Sequence, residues 1–123
     1  YMSRLLLLLL LTTNIVAQEF ITSSSFDSKT AKGTVVIEFY AEWNDGNKVK
    51  FLPSLKDCNA YRVDIVKQSK IQKEFKITSV PTVIVLNNGV EEYRFISNIM
   101  LQLDGNKKKV QSVIDDITFE KFQ

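Results

Sequence analysis

Short runs of hydrophobic residues recur along the chain and indicate the strands of a sheet. Residues 34–40 are β-branched or aromatic at almost every position, which is typical of a central strand buried on both faces. Asn88-Gly89 tolerates the positive φ of a tight turn, so residues 90–97 are predicted to return as an antiparallel strand. Residues 82–86 form a second strongly apolar run and predict another strand. A weak pattern at residues 20–22 and an alternating one at residues 59–66 predict two more.

Helical patterns lie between these strands. Short helices are predicted near residues 26–31 and over residues 48–55, and a third begins at Ser69, which has capping-box spacing to Gln72. The last helix begins near Asn106 and carries one apolar stripe: Val110, Val113, Ile114 and Ile117. A parallel βαβ unit followed by an antiparallel ββα unit predicts an α/β domain with a mixed sheet and helices on both faces.

An export signal is predicted at the start of the chain. Arg4 gives a positive start, residues 5–11 are seven consecutive leucines, and Ala17 is the small residue typical of a cleavage site. This apolar stretch is shorter than the about 20 residues that a membrane-spanning helix needs.

The predicted cleavage divides the chain into two parts. Residues 1–17 form the signal segment and residues 18–123 form the mature domain, which would be periplasmic or extracellular. Two alternatives stay open. Either the segment is retained, so that residues 5–17 bring the protein into contact with a membrane, or the segment packs as a buried N-terminal helix.

Composition removes several kinds of chemistry. The 123 residues include 16 Lys plus Arg, 14 Asp plus Glu, no His and one Cys. Without His, a Ser–His or Cys–His nucleophile and a His-ligated zinc site are excluded. The net charge of +2 does not indicate a nucleic-acid partner.

The loop around Asp45 could suggest a calcium site, because Asp45 and its neighbouring asparagines have oxygen atoms that suit calcium. The Glu that closes a calcium loop is absent, however. We therefore predict a turn here, and no metal or cofactor.

Three motifs, in this order, resemble those of thioredoxin. VVIEFYAEW at residues 35–43, followed by a four-residue loop and Lys48, resembles the active-site strand and loop of that family. SVPT at residues 79–82 resembles the loop that carries a cis-proline, and Asn-Gly at residues 88–89 resembles the turn between the last two strands. The resemblance covers about residues 26–119. It implies an α/β thioredoxin-like fold with a mixed central sheet of four to five strands and helices on both faces.

The catalytic loop departs from the family pattern. The family has Trp-Cys-Gly-Pro-Cys-Lys, whereas this chain has asparagine at both cysteine positions: Trp43, Asn44, Asp45, Gly46, Asn47 and Lys48. The family's reaction needs one thiolate to attack a disulfide and a second thiol to resolve the mixed disulfide. A carboxamide does neither, so we predict a redox-inactive site and no enzymatic activity.

Other family positions imply a buried acid and a peptide groove. Glu38 stands where the family has a buried acidic residue, and without thiols to serve we expect a buried carboxyl with a raised pKa, bonded to a neighbouring group. In the family, the tryptophan at the position of Trp43 flanks a groove for extended peptides. The other wall of that groove is the loop that corresponds to Val80-Pro81, whose unpaired main-chain groups can bond a peptide. The candidate peptide- or partner-binding residues are therefore Trp43, Val80 and Pro81. The alternative for Trp43 is that it packs over the helix start.

Two segments differ in length from the family. Only about ten residues separate Pro53 from Asp64, so the helix predicted over residues 48–55 should be short. The apolar segment ISNIMLQL, residues 96–103, is additional. We favour packing of this segment in the core or at a sheet edge over a patch that a partner covers.

Cys58 is the other candidate for chemistry. One interpretation is a reactive thiol or an intermolecular disulfide. The interpretation that we favour is a small, semi-buried apolar residue, because Cys58 is distant in sequence from the loop and no His is present to activate it.

These patterns predict a non-catalytic domain that acts as a protein-binding or accessory subunit of an extracytoplasmic complex. A protein or an extended peptide is the expected partner. Two alternatives are a monothiol redox or thiol-capture protein that uses Cys58, and a peptide-holding chaperone.

Overall fold

The computed structural model of the protein describes residues 18–123, so the predicted signal segment lies outside the described residues. Within residues 18–123, no helix is both long enough and apolar enough to cross a membrane. Two short 3-10 segments, Glu42–Asn47 and Leu52–Ser54, lie between the first two strands. The other elements are, in chain order, α1 (Ser23–Thr30), β1 (Thr34–Tyr40), β2 (Asn59–Asp64), α2 (Ser69–Glu74), β3 (Thr82–Asn87), β4 (Val90–Phe95) and α3 (Lys107–Lys121).

The four strands form one mixed sheet in the order β2-β1-β3-β4. β1 pairs in parallel with β2 and antiparallel with β3, and β4 is antiparallel to β3. All seven residues of β1 are buried, as expected for a central strand covered on both faces. The structure confirms the predicted α/β fold with a mixed sheet of four strands and helices on both faces.

The segment before α1 lies beside β2 but does not form a fifth strand. Phe20 makes a single parallel bridge with Arg62. The Ile21 N–H donates to the Arg62 carbonyl at 2.9 Å, and the Arg62 N–H donates to the Glu19 carbonyl at 2.8 Å. The predicted strand is reduced to this bridge because α1 begins directly afterwards, at Ser23.

Side chains from β1 enter two hydrophobic clusters, one on each face of the sheet. The first cluster contains Phe26 of α1 and Ile71 of α2. The second contains Leu52 and the apolar stripe predicted for α3, of which three residues are buried: Val110, Ile114 and Ile117. α3 also begins as predicted, because the side-chain oxygen of Asn106 accepts a hydrogen bond from the Lys109 N–H at 2.9 Å.

Two predicted helical features are wrong. No α-helix forms over residues 48–55; the chain makes only the 3-10 turn around Pro53, a residue that has no N–H to continue a helix. Ser69 is not an N-cap, because α2 begins one position earlier than the capping box requires. Gln68 is the cap residue, and its carbonyl accepts the hydrogen bond from the Gln72 N–H at 3.2 Å.

Gly105 allows the chain to pass close to the core before α3. A Cβ atom built on Gly105 would lie 2.8 Å from Cδ1 of the buried Phe95 ring, a distance at which one of the two groups must move. We expect Gly105→Ala to lower the free energy of unfolding by about 1–3 kcal/mol, the usual cost of overpacking. Urea denaturation followed by far-UV circular dichroism measures this change.

Gly46→Ala is the matched control for this prediction. A Cβ atom at Gly46 has no heavy atom within 4 Å, and its φ is not in the left-handed region. The control should therefore lose no stability. Equal effects of the two substitutions would contradict the steric explanation for Gly105.

Candidate functional site

The loop of residues 43–47 follows the central strand β1 and lies within the 3-10 segment Glu42–Asn47. Asn44 has a φ of −122° and a ψ of 28°, so the segment is kinked in its middle. Trp43 is 63% exposed. Packing over the helix start, the alternative considered for this residue, therefore buries only a minor part of the indole.

Asn44 and Asn47, which the resemblance aligns with the two cysteines of the family, are hydrogen-bonded to each other. Asn47 Nδ2 donates to Asn44 Oδ1 at 2.9 Å. Asn44 Nδ2 donates to the Val80 carbonyl at 3.1 Å and to the Leu101 carbonyl at 2.9 Å. The amide of Asn44 thus joins three segments of the chain that are distant in sequence.

The Val80-Pro81 peptide bond is cis, as the family resemblance implies. The Val80 side chain belongs to the hydrophobic core, and the Thr82 hydroxyl donates to the Ser79 carbonyl at 2.8 Å. The expectation of unpaired main-chain groups in this loop needs a correction, because the Val80 carbonyl is already bonded to Asn44. A peptide that added itself as a strand would have to compete with that amide.

The apolar segment after β4 forms an exposed turn. Residues 97 and 103 close the turn through a single antiparallel bridge, and we call residues 98–102 the apolar tip. Ile99 is 95% exposed and Met100 is 70% exposed, whereas Leu103 packs against the core. The favoured prediction of core or edge packing is wrong because Asn98 reverses the chain: its side-chain oxygen accepts hydrogen bonds from the N–H groups of Met100 and Gln102.

Asp45 attaches the loop to the end of β1. The Tyr40 hydroxyl donates to Asp45 Oδ1 at 2.5 Å, and Lys48 Nζ lies 3.4 Å from the same oxygen. The hydrogen bond to the carboxylate raises the pKa of Tyr40 to about 12 and lowers the pKa of Asp45. Asp45 therefore connects the loop to Tyr40 of β1 and to Lys48.

Glu38 is a buried acid that is paired inside the protein. Its register partner on β2 is Arg62, whose Nε donates to Glu38 Oε1 at 2.8 Å. Glu38 Oε2 accepts from the Val49 N–H at 2.9 Å, and Arg62 Nη2 donates to the Val49 carbonyl. Burial raises the pKa of Glu38, and the bonds to Val49 and Arg62 partly offset that effect. Glu38 is therefore a buried carboxyl held by a main-chain N–H and a guanidinium.

Cys58 lies away from the loop of residues 43–47. It precedes Asn59, which pairs with Val35 near the start of β1, whereas the loop follows the end of β1. The thiol is half-buried and packs against the cluster beneath α3. Burial raises the pKa of Cys58 to about 11, and the negative charge of Asp57 adds to this effect.

Three residues that organise the site were not identified from the sequence: Arg62, Asn98 and Leu101. Arg62 occupies a buried position of β2 opposite an acid on β1, so the strand register would have revealed the pair. Asn98 is a turn-forming residue within an apolar segment, which is a local indication of chain reversal.

Within residues 18–123, no group of three His, Cys, Asp or Glu residues could hold a metal ion.

The mixed sheet, the cis Val80-Pro81 bond and the loop of residues 43–47 bonded to it define a thioredoxin-like domain. The thioredoxin family model matches residues 17–109, and the chain therefore belongs to the thioredoxin family.

Relatives and solved structures agree with this assignment. The thioredoxin of Chlamydia pneumoniae is 29% identical over 85 residues, which are 63% of this chain and 82% of that protein. The thioredoxin of Mycoplasma genitalium is 32% identical over 73 residues, 54% of this chain and 72% of that protein.

Among solved structures, a mutant thioredoxin from Halobacterium salinarum has a TM-score of 0.64 and 17% identity, covering 83% of this chain and 95% of that one. The thioredoxin of Malassezia sympodialis has a TM-score of 0.61 and 22% identity, covering 85% and 96%. At these identities the structural likeness shows the fold alone.

Proposed function

We propose that this chain is a non-catalytic, protein-binding domain that serves as an accessory subunit of a larger extracytoplasmic complex. The observation that carries the proposal is the bonded pair Asn44 and Asn47 at the two cysteine positions of the family motif. A carboxamide cannot form or resolve a mixed disulfide, so the scaffold presents this loop without thiol chemistry.

Exposed apolar side chains support a binding role. Trp43 is adjacent in sequence to Asn44, and Asn44 is bonded to the apolar tip that carries Ile99 and Met100. Isolated exposed hydrophobic residues are common, whereas several gathered around one hydrogen-bonded centre favour a contact surface for a protein or an extended peptide. The pattern of residues 1–17 supports the extracytoplasmic location.

The monothiol alternative has less support. With its pKa raised to about 11, the Cys58 thiol is ionised in only about one molecule in ten thousand at neutral pH. The thiolate is the reactive form, so burial makes this residue a slow nucleophile.

An insulin-reduction assay tests the non-catalytic half of the proposal. We expect no turnover above the background of the thiol reductant, both for the natural chain and for Cys58→Ser, because neither has a dithiol. Turnover by the natural chain would contradict the proposal. If Cys58→Ser then abolished that turnover, the monothiol function would be favoured.

Native purification followed by mass spectrometry tests the accessory half. We expect the chain to elute with a second protein at a fixed stoichiometry, and the same measurement identifies the true N-terminus. Elution of the chain alone, at the mass of a monomer, would contradict the role as a subunit.

A further inference from the structure

The apolar tip is a turn whose conformation is strained. The Leu101 N–H donates to the Asn98 carbonyl at 2.9 Å, and the Asn98 N–H donates to the Gln102 carbonyl at 2.8 Å. Leu101 has a φ of 56°, in the left-handed region that costs a residue with a side chain about 1–2 kcal/mol. A residue persists in this region only when its surroundings hold it there.

The base of the tip also contains an unsatisfied polar group. Among the described residues, the buried hydroxyl of Ser97 has no hydrogen-bond partner. Ser97 forms the bridge with Leu103 that closes the turn. A buried hydroxyl without a partner raises the free energy of this conformation. The hydrogen bonds within the turn must therefore be supplemented by a contact from elsewhere in the chain.

Asn44 supplies the tertiary contact to the strained residue. Its Nδ2 donates to the carbonyl of Leu101, and the other hydrogen of the same amide is bonded to the carbonyl of Val80. Val80 belongs to the hydrophobic core, so this amide joins the tip to a core residue. Asn47 Nδ2 donates to the oxygen of the same amide, so it does not compete with either Asn44 hydrogen.

We propose that Asn44 is a latch that holds the apolar tip in its strained conformation against the cis-proline loop. With the latch closed, as in the structure, Ile99 and Met100 are presented beside the loop that carries Trp43, and the Val80 carbonyl is occupied. With the latch open, Leu101 leaves the left-handed region and the Val80 carbonyl becomes available. The latch consists of amide hydrogen bonds, so its position does not depend on thiol–disulfide exchange. The inference goes beyond the proposed function, because it holds with or without a partner.

Amide hydrogen exchange, measured residue by residue by NMR, tests the latch. Asn44→Ala removes both hydrogen bonds, and we expect the Met100, Leu101 and Gln102 amides to exchange about tenfold faster than in the natural chain. Asn47→Ala is the matched control, because it is the same truncation in the same network but leaves both Asn44 donors in place. We expect it to change these rates by less than about threefold.

The amides of β1 report whether each variant keeps the fold. If their protection is unchanged while the tip exchanges faster only in Asn44→Ala, the latch is supported. Unchanged tip exchange in Asn44→Ala, or an equal increase in Asn47→Ala, would overturn it. If Asn44→Ala also unfolds β1, Asn44→Asp replaces it: this variant keeps the size of the side chain but removes the donor, and protected tip amides in it would overturn the proposal.

Discussion

Replacing Arg62 with Met should lower the free energy of unfolding by about 3–5 kcal/mol at neutral pH, the usual cost of breaking a buried ion pair from one side. Arg62 lies 2.8 Å from Glu38, and the two side chains are 10% and 0% exposed. Without the guanidinium, the Glu38 carboxylate would keep only the Val49 N–H as a partner in a site that water does not reach. Urea denaturation measures the change.

The pH dependence of this loss has a definite sign. Burial already raises the pKa of Glu38, and the charge of Arg62 opposes that rise. Removal of Arg62 therefore raises the folded-state pKa further above the unfolded value, so the folded state binds the proton more tightly than the unfolded state. Below about pH 3, where Glu is protonated in both states, the loss in Arg62→Met should be smallest. The loss should grow as the pH rises toward the folded-state pKa, by at most about 1.4 kcal/mol per pH unit.

Arg94→Met is the matched control. Arg94 and Glu91 are also 2.8 Å apart, but their side chains are 28% and 35% exposed on β4. Solvent screens this pair, so the same substitution should cost less than about 1 kcal/mol. Similar losses at both sites, or a loss in Arg62→Met that shrinks as the pH rises, would contradict the role assigned to burial.

Replacing Asn44 and Asn47 together with cysteine should give a protein that reduces insulin. Asn47 Nδ2 and Asn44 Oδ1 are already 2.9 Å apart, so the two side chains face each other as a dithiol requires. The first thiol could attack a disulfide and the second could resolve the mixed disulfide. Turnover should rise from background to a clearly measurable rate.

The restored activity should be limited by the first thiol. A thiolate is stabilised at the N-terminus of an α-helix, but here the loop lies in a kinked 3-10 segment and no α-helix follows it before β2. A thiol with an unshifted pKa near 8.5 is only a few per cent thiolate at pH 7, so the rate should increase as the pH rises toward that value.

The single variant Asn44→Cys serves as the control for this experiment. It has the attacking thiol without the resolving thiol, so it should form a mixed disulfide that a non-reducing gel detects, with no catalytic turnover. A double variant that folds but shows no turnover would mean that the loop geometry is unsuited to dithiol chemistry.

The elements that the sequence predicted well are those set by local pattern. TVVIEFY at residues 34–40 could only be a strand buried on both faces, and the stripe on α3 could only face a core. The cis-proline loop was located by a short motif, SVPT at residues 79–82.

The features that the sequence did not reveal depend on contacts between distant segments. The tip is apolar and was therefore expected to be buried, but Asn98 and the distant Asn44 hold it in a turn at the surface. The partner of Glu38 depends on the register between β1 and β2, which hydrophobic pattern alone does not specify. No α-helix forms over residues 48–55 because Pro53 has no N–H to continue one, and only a 3-10 turn surrounds it.

The exposure of Trp43 has a practical consequence for spectroscopy. It is the only tryptophan in the chain, and its indole is mostly in water in the folded protein. Its emission therefore responds little to unfolding, which is why stability is better followed by circular dichroism. A partner that covers the loop would instead move the indole into an apolar environment and shift its emission to shorter wavelength. The protein thus contains its own fluorescent reporter, placed at the surface proposed to bind.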